Sequence, residues 1–313
     1  MFYIFRRFIL LIVTVILVSI ITFAVFQILP GDPVRTMLGT EADPTQIENL
    51  RSELGLDRPL YEQYTDLMKG IVTGELGNSI RFSMPVKELL LARLPVTISL
   101  AAITLFIVCF ISLPLGMFAA RRQNQLSDLT LSSATQLGMA IPSFWLGMML
   151  ILYVGLNVEF FKISGYIPWS TSIVGALSTL ILPALTIAIP QIAVNFRYVR
   201  TAILEQVRMD YVRTIRSKGI VERMVMYKHV LKNAMIPILT VFGLITAEIV
   251  AGTIIVEQVF SLPGVGQLLI TGINNRDFPL VQGIVMYITV AVVTINFIVD
   301  ILYTVLDPRI RLR

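Results

Sequence analysis

The sequence predicts an all-α, polytopic membrane protein with six transmembrane helices and both termini cytoplasmic. Three observations predict it. Of 313 residues, 56% are hydrophobic and 14% are charged, whereas a typical soluble domain carries about 25% charged residues. Six stretches are apolar over the length of about 20 residues that a helix needs to cross a hydrocarbon core. The lysines and arginines gather on one side of those stretches.

The first stretch, Phe8–Leu29, carries no charge and follows Arg6 and Arg7. Its apolar run is too long for a secretory leader, and Ile28-Leu-Pro-Gly-Asp-Pro33 offers no small-residue cleavage site, so it reads as a retained anchor. Leu94–Ala120 and Leu129–Leu156 are also uncharged. Ile163–Phe196 is longer than one helix needs. Gly165-Tyr-Ile-Pro-Trp169 within it reads as an interfacial loop, which places the start of the helix near Val174. Asn233–Val256 is interrupted only by Glu248, and Phe278–Leu306 only by Asp300. The chain therefore divides into an N-terminus with the first helix (1–29), an extracytoplasmic segment (30–93), a five-helix core (94–306) and a tail (307–313).

With the N-terminus inside, the inner segments hold sixteen basic and five acidic residues, and the outer ones nine basic and twelve acidic. The opposite orientation puts the basic excess on the wrong face. In the outer segment, Thr45-Gln-Ile-Glu48 fits a capping box for a short helix ending at Gly55, with Ile47, Leu50 and Leu54 on one face. Asp57-Arg-Pro59 then opens a second helix with Leu60, Tyr64, Leu67 and Ile71 on one stripe. A packed cap on the bundle and a docking surface for an external partner both satisfy that pattern.

The most informative segment is 197–232, between the fourth and fifth stretches, with nine basic and three acidic residues. The other inner loop holds only Arg121, Arg122 and Asp128. In Met209-Asp-Tyr-Val-Arg-Thr-Ile-Arg-Ser-Lys-Gly219, Met209, Val212 and Ile215 recur at near-helical spacing while Arg213, Arg216 and Lys218 point elsewhere. This predicts a short amphipathic helix stopped at Gly219, since glycine takes the left-handed conformation at little cost. On physical grounds it could lie on anionic lipid, set topology, or dock a protein.

These residues also carry a resemblance. Asp210 to Gly219, followed by His229, Asn233-Ala234 and Pro237, resembles the EAA loop of permease subunits of ATP-binding-cassette (ABC) importers, in the form found in the dipeptide, oligopeptide and nickel subfamily. Further matching pieces run in order along the chain: Gly31-Asp-Pro33, Leu54-Gly-Leu-Asp-Arg-Pro-Leu-Tyr-Glu-Gln-Tyr64, Leu94-Pro-Val-Thr97, Ile141-Pro-Ser-Phe144, Glu257-Gln-Val-Phe-Ser-Leu-Pro-Gly-Val-Gly266, Asn275-Arg-Asp-Phe-Pro279 and Leu306-Asp-Pro-Arg-Ile310. The usual Glu-Ala-Ala is replaced by about Val212-Arg-Thr214, so the glycine, the Asn-Ala and the proline carry most of the match. The resemblance implies a MetI-like, type I importer fold in the bacterial inner membrane. It also implies a homologous second permease, cytoplasmic ABC ATPase subunits and an extracytoplasmic solute-binding protein as partners, with no nucleic acid. The loop helix would be a coupling helix seated in a groove of an ATPase, its small apolar face filling the groove and its basic flanks meeting acidic residues. Asp210, Tyr211, Arg213, Thr214, Arg216, Lys218, Gly219, His229 and Asn233 are its candidate residues.

No Gly-x-x-x-x-Gly-Lys-[Ser/Thr] phosphate loop, Gly-x-Ser-x-Gly elbow or His-Glu-x-x-His occurs. With one histidine and one cysteine, Cys109, no metal, cofactor or catalytic site is expected, and ATP hydrolysis would belong to another chain. Ionisable groups in a bilayer cost about 2.5–3.5 kcal/mol on insertion scales and default to functional hypotheses. Glu248, Gln191 and Asn195 are candidates for the translocation path, with interhelical hydrogen bonding as the structural alternative. For Glu257 and for Asp300, one helical turn from Asn296, the structural alternative is preferred. An ion-coupled transporter using Glu248, or a non-transporting receptor, remains an alternative to the importer.

Overall fold

The computed structural model describes residues 2–28, 34, 43–53 and 55–306. Gly31-Asp-Pro33, Leu54 and the tail 307–313 lie outside the described residues, as does the side chain of Leu50. Apart from a lone bridge between Asn78 and Pro85, the described regular structure is helical. The chain forms two compact units, one of residues 1–97 with 263–294, the other of 98–262 with 295–313.

The first unit contains α1 (Phe2–Ile28), α2 (Pro44–Glu53), α3 (Leu60–Thr73), the start of α4 (Val86–Arg121), α10 (Val265–Asn274) and the start of α11 (Phe278–Leu306). The cap of α2 differs from the expected capping box. Asp43, not Thr45, closes the helix, accepting from Thr45 N at 3.0 Å and Thr45 Oγ1 at 2.8 Å. The reason is Pro44, which suits the first helical position because it has no N–H to satisfy. It starts the helix two residues earlier, at Pro44 instead of Gln46, and makes Thr45 a donor. The same two bonds hold the Asp43 carboxyl below its ordinary value. The helix ends at Gly55, whose φ of +67° is the left-handed form glycine tolerates. On α3, Tyr64 reaches α1, its hydroxyl 2.8 Å from Ser19 Oγ and its ring edge-on to Phe23 at 5.6 Å. This packs the outer-segment helix on the first apolar one.

The core of this unit joins Val86, Leu89 and Leu90 of α4 to Val265 and Leu268 of α10 and Leu280 and Ile284 of α11. Helix α10 was not expected. Its ten residues are too few to register as a crossing, although Thr97 Oγ1 accepts from Val265 N at 2.9 Å and fixes its start. The polar centre is Asp277, which is 0% exposed. Its carboxylate accepts from Ser79 Oγ (2.5 Å), Ile80 N (3.1 Å), Arg81 N (3.1 Å) and Leu280 N (3.2 Å). One side chain thus caps α11 and folds the loop before α4 onto it.

The second unit holds the rest of α4 and α11, together with α5 (Leu126–Ala140), α6 (Ser143–Leu150), α7 (Ile173–Val207), α8 (Asp210–Ser217) and α9 (Leu231–Val259). Among the described residues, five helical runs are long and apolar enough to cross a membrane. The expected third crossing, Leu129–Leu156, is not one straight helix. It is α5 followed by Ser143–Gly155, bent by 98° between them, and only if that pair counts as one span are there six. The cause is Pro142. A proline disfavours helical backbone in the residue before it, and Ile141 is extended at φ −81°, ψ 120°. Both halves nevertheless lie along α7. A Cβ at Gly138 of α5 would be 3.3 Å from Ala193, and one at Gly147 of α6 would be 3.1 Å from Thr186. Pro183 and Pro190 are carried inside α7 without a break.

The segment 197–232 is also more helical than expected. Helix α7 continues past Arg197 and Arg200 to Val207. One turn at Glu222–Met224 and a π-helical stretch, Val225–Val230, run directly into α9. Charged side chains at a helix surface do not end it, whereas the left-handed Gly219 (φ +74°) does.

Asp277→Ala strands four donors, and a buried unpaired donor costs about 1–3 kcal/mol. We expect it to lower the thermal midpoint of the detergent-purified protein well beyond the effect of Ser79→Ala, which removes one donor. Equal midpoints would show that Asp277 does not organise this unit.

Candidate functional site

Helix α8 follows Met209, whose extended backbone (φ −74°, ψ 148°) starts it. Asp210 lies in its first turn and Arg216 in its last, the order the helix dipole favours. It packs on the stretch Val225–Val230, and Val212, Val225 and Val230 are all 0% exposed. This corrects the expected use of the apolar face. Val212 is spent inside its own chain, because a two-turn helix on the surface of the bundle has to anchor itself before it can present anything. The outward side of α8 is polar and basic: Asp210, Arg213, Thr214, Arg216, Lys218 and Gly219 are exposed, with Met209 at its start. Tyr211 is half-buried and donates to Gln206 Oε1 at 3.1 Å. His229 is half-buried in the π-helical stretch and Asn233 is exposed on α9.

The turn after α8 is clamped. Arg216 donates to Glu222 through Nε (3.0 Å) and Nη2 (2.6 Å), a two-pronged bridge across Gly219. Glu222 holds the Arg216 guanidinium above its ordinary pKa. Gly219 N donates to Arg216 O at 2.9 Å, and a Cβ at Gly219 would meet nothing within 4 Å.

The structure brings the three mid-span residues together. Gln191 of α7 donates through Nε2 to Glu248 Oε2 of α9 at 3.2 Å, and Asn195 Nδ2 donates to Gln191 O at 2.7 Å. Asn195 is 0% exposed while Glu248 is exposed. Gln191 Oε1 and Asn195 Oδ1 are buried with no hydrogen-bond partner among the described residues. Glu257 is fully buried, and neither it nor Asp300 is unpaired. Asn296 Oδ1 is a third buried acceptor without a described partner.

One pair escaped the sequence. Asp128, in the first turn of α5, is 1% exposed and accepts from Arg200 of α7 through Nε and Nη2, both at 2.6 Å. Asn124 N adds a third bond at 2.9 Å. The Asp128 carboxylate is enclosed while Arg200 is 24% exposed, so losing one partner costs less than the roughly 3–5 kcal/mol of a fully buried pair. In the sequence the two read only as loop charges, 72 positions apart. No spacing rule links them, although a lone acid in a basic loop is a weak signal. Among the described residues no group of three or more His, Cys, Asp or Glu could hold a metal ion.

Comparison with known proteins places this architecture. Residues 112–312 match the family model of the binding-protein-dependent transport system inner membrane component, and residues 1–101 match that of the N-terminal part of such components. A putative peptide transport system permease protein of Brucella abortus is 39% identical over 296 residues, covering 95% of this chain and 94% of its own length. The oligopeptide transport system permease protein AppB of Bacillus subtilis is 36% identical, with 98% of each chain covered. A chain of the MetNI methionine ABC transporter, solved in inward-facing conformations, superposes with a TM-score of 0.58 at 17% identity over 70% of this chain and 96% of its own. That last likeness concerns the fold alone. The chain belongs to the binding-protein-dependent transport family: it is a multi-pass inner-membrane permease component of an ABC importer. Membership implies, in general terms, ATPase subunits, a substrate-binding protein and a second permease.

The Arg216–Glu222 bridge is about half exposed on both sides, so a double-mutant cycle with Arg216→Gln and Glu222→Gln should give a coupling of about 0.5–1 kcal/mol. A cycle that closes to zero would show that the bridge does not set the Gly219 turn.

Proposed function

We propose that this chain is the membrane-spanning permease of an ATP-driven importer of peptides or a related small solute such as a nickel chelate, and that α8 is its coupling helix. ATP hydrolysis takes place on partner ATPases. Both termini face the cytoplasm, and so does the segment 197–232, in line with its basic excess. The segment 30–93 faces outward, where the solute-binding protein delivers cargo. Two permeases, this chain and a homologous second one, enclose the pathway. ATP binding draws the coupling helices together and opens the cavity outward, and hydrolysis resets it. The peptide cargo is supported by the names of the relatives in Brucella abortus and Bacillus subtilis.

The observation that carries the coupling role is the anchoring of α8 from behind by Val212, with Asp210, Arg213, Thr214, Arg216, Lys218 and Gly219 left outward. Tyr211, His229 and Asn233 complete the contact region. A helix held this way can be pushed as a body. Gln191, Asn195 and Glu248 are the pathway group: Glu248 is exposed and would meet a solute, while Gln191 bonds to it and Asn195 is enclosed behind Gln191.

Gly219→Asp tests the docking role. The added side chain enters open space within this chain, and Asp tolerates a positive φ better than most residues. We therefore expect normal insertion and loss of solute-stimulated ATPase activity in the reconstituted assembly; unchanged stimulation would count against docking. Glu248→Gln should lower uptake while leaving expression intact. Uptake equal to the parent protein's would remove Glu248 from the pathway.

A further inference from the structure

The Asp128–Arg200 pair sits where three helices meet. Arg200 is on α7, seven residues before that helix ends at Val207, or about 10 Å at 1.5 Å per residue. Only Arg208 and Met209 separate that end from α8. Asp128 opens α5, the first half of the broken pair. At the same level α4 presses on α7: a Cβ at Gly116 would lie 2.6 Å from Val199 Cγ1 and 3.2 Å from Arg200 N. The pair is therefore the polar junction between the stretch that leads into α8 and the stretch that ends at the 98° bend.

Stability alone does not account for its chemistry. A buried ion pair is often replaceable by well-packed apolar side chains with no loss of stability. The two-pronged bridge adds geometry. Two parallel N–H···O bonds fix both the distance and the relative rotation of α5 and α7 at this point, and the helix dipole favours a carboxylate at the start of α5. The turn before α5 is set by the same carboxylate, which accepts from Asn124 N, a residue at φ +64°.

We propose that Asp128 and Arg200 form a latch that delivers displacement of α8 to the broken pair α5–α6, so that they act as positioning residues for transport. The inference rests on the reading of α8 as the coupling helix. A push on α8 travels up the last turns of α7 to Arg200. The bridge carries α5 with it, and the bend at Ile141–Pro142 is where the two halves can change angle.

The test uses the whole assembly, with second permease, ATPases and binding protein, in proteoliposomes supplied with a radiolabelled mixture of short peptides. The variant is D128L/R200M, which removes the latch without stranding a charge, and the readout is ATP hydrolysed per peptide taken up. Coupling between sites typically corresponds to about 5–150-fold. We expect the ratio to rise about fivefold or more, with assembly yield and thermal midpoint as in the parent protein. A smaller rise overturns the latch. Should that variant fail to assemble, R200K, which keeps the charge but loses the two-pronged bridge, is judged by the same ratio. A second measurement places spin labels at Thr130 of α5 and Ser217 of α8 in a C109S background. Their separation should stay narrow and unchanged between nucleotide-free and ATP-bound assemblies, and broaden in D128L/R200M; equal distributions in both proteins overturn the latch. If the parent assembly shows no ATP-dependent uptake, the importer reading has failed, and the label distances alone decide the latch.

Discussion

The governing constraint is that a backbone placed in hydrocarbon must pair its own amides. Nearly everything in this fold answers to it. The long apolar runs become helices, the prolines in α7 are absorbed within a continuous helix, and the hydroxyls of Thr104, Thr186, Thr246 and Thr289 turn back onto carbonyls one turn earlier in their own helices. Where a helix does stop, at Ile141–Pro142 or Gly219, the chemistry of the stop is local and visible. The π-helical stretches at Ile151–Gly155 and Val225–Val230 keep the backbone paired while shifting the register of the residues after them.

With the backbone satisfied internally, contact between helices falls to close packing and to a few polar bonds. Small residues allow the approach: Gly138 on Ala193, Gly147 on Thr186 and Gly116 on Val199 bring α5, α6 and α4 against α7. Helix α7 is accordingly the most buried of the helices in its unit, with Asn195 and Phe196 at 0% and 1% exposure. The polar bonds then fix rotation. Asp277 does this in one unit and the Asp128–Arg200 bridge in the other. In each, one carboxylate gathers several donors, which is how a charge survives burial.

The proposed function builds on this contrast between fixed and adjustable parts. Helix α8 is short, exposed on its basic side and anchored through one valine, so it can act as a rigid handle. The polar trio of Gln191, Asn195 and Glu248 is tied together by single hydrogen bonds, with Glu248 exposed, Gln191 half-buried and Asn195 enclosed. Family membership gives these features their setting, an inner-membrane permease component of an ABC importer.

The sequence by itself determined the class of protein, the apolar runs, the helix over 210–217 and its stop at Gly219, because hydrophobic length, 3.6-residue periodicity and glycine's backbone freedom are local properties. It also marked Glu248, Gln191 and Asn195 as out of place in apolar surroundings. Only the tertiary structure decided that Val212 faces inward, that the third crossing is broken rather than one straight helix, that α10 is a helix docked on α4 and α11, and that Asp128 meets Arg200 and Asp277 meets Ser79. Those outcomes depend on residues up to 198 positions apart, and pairings at that range are set by how helices pack, which no local pattern encodes.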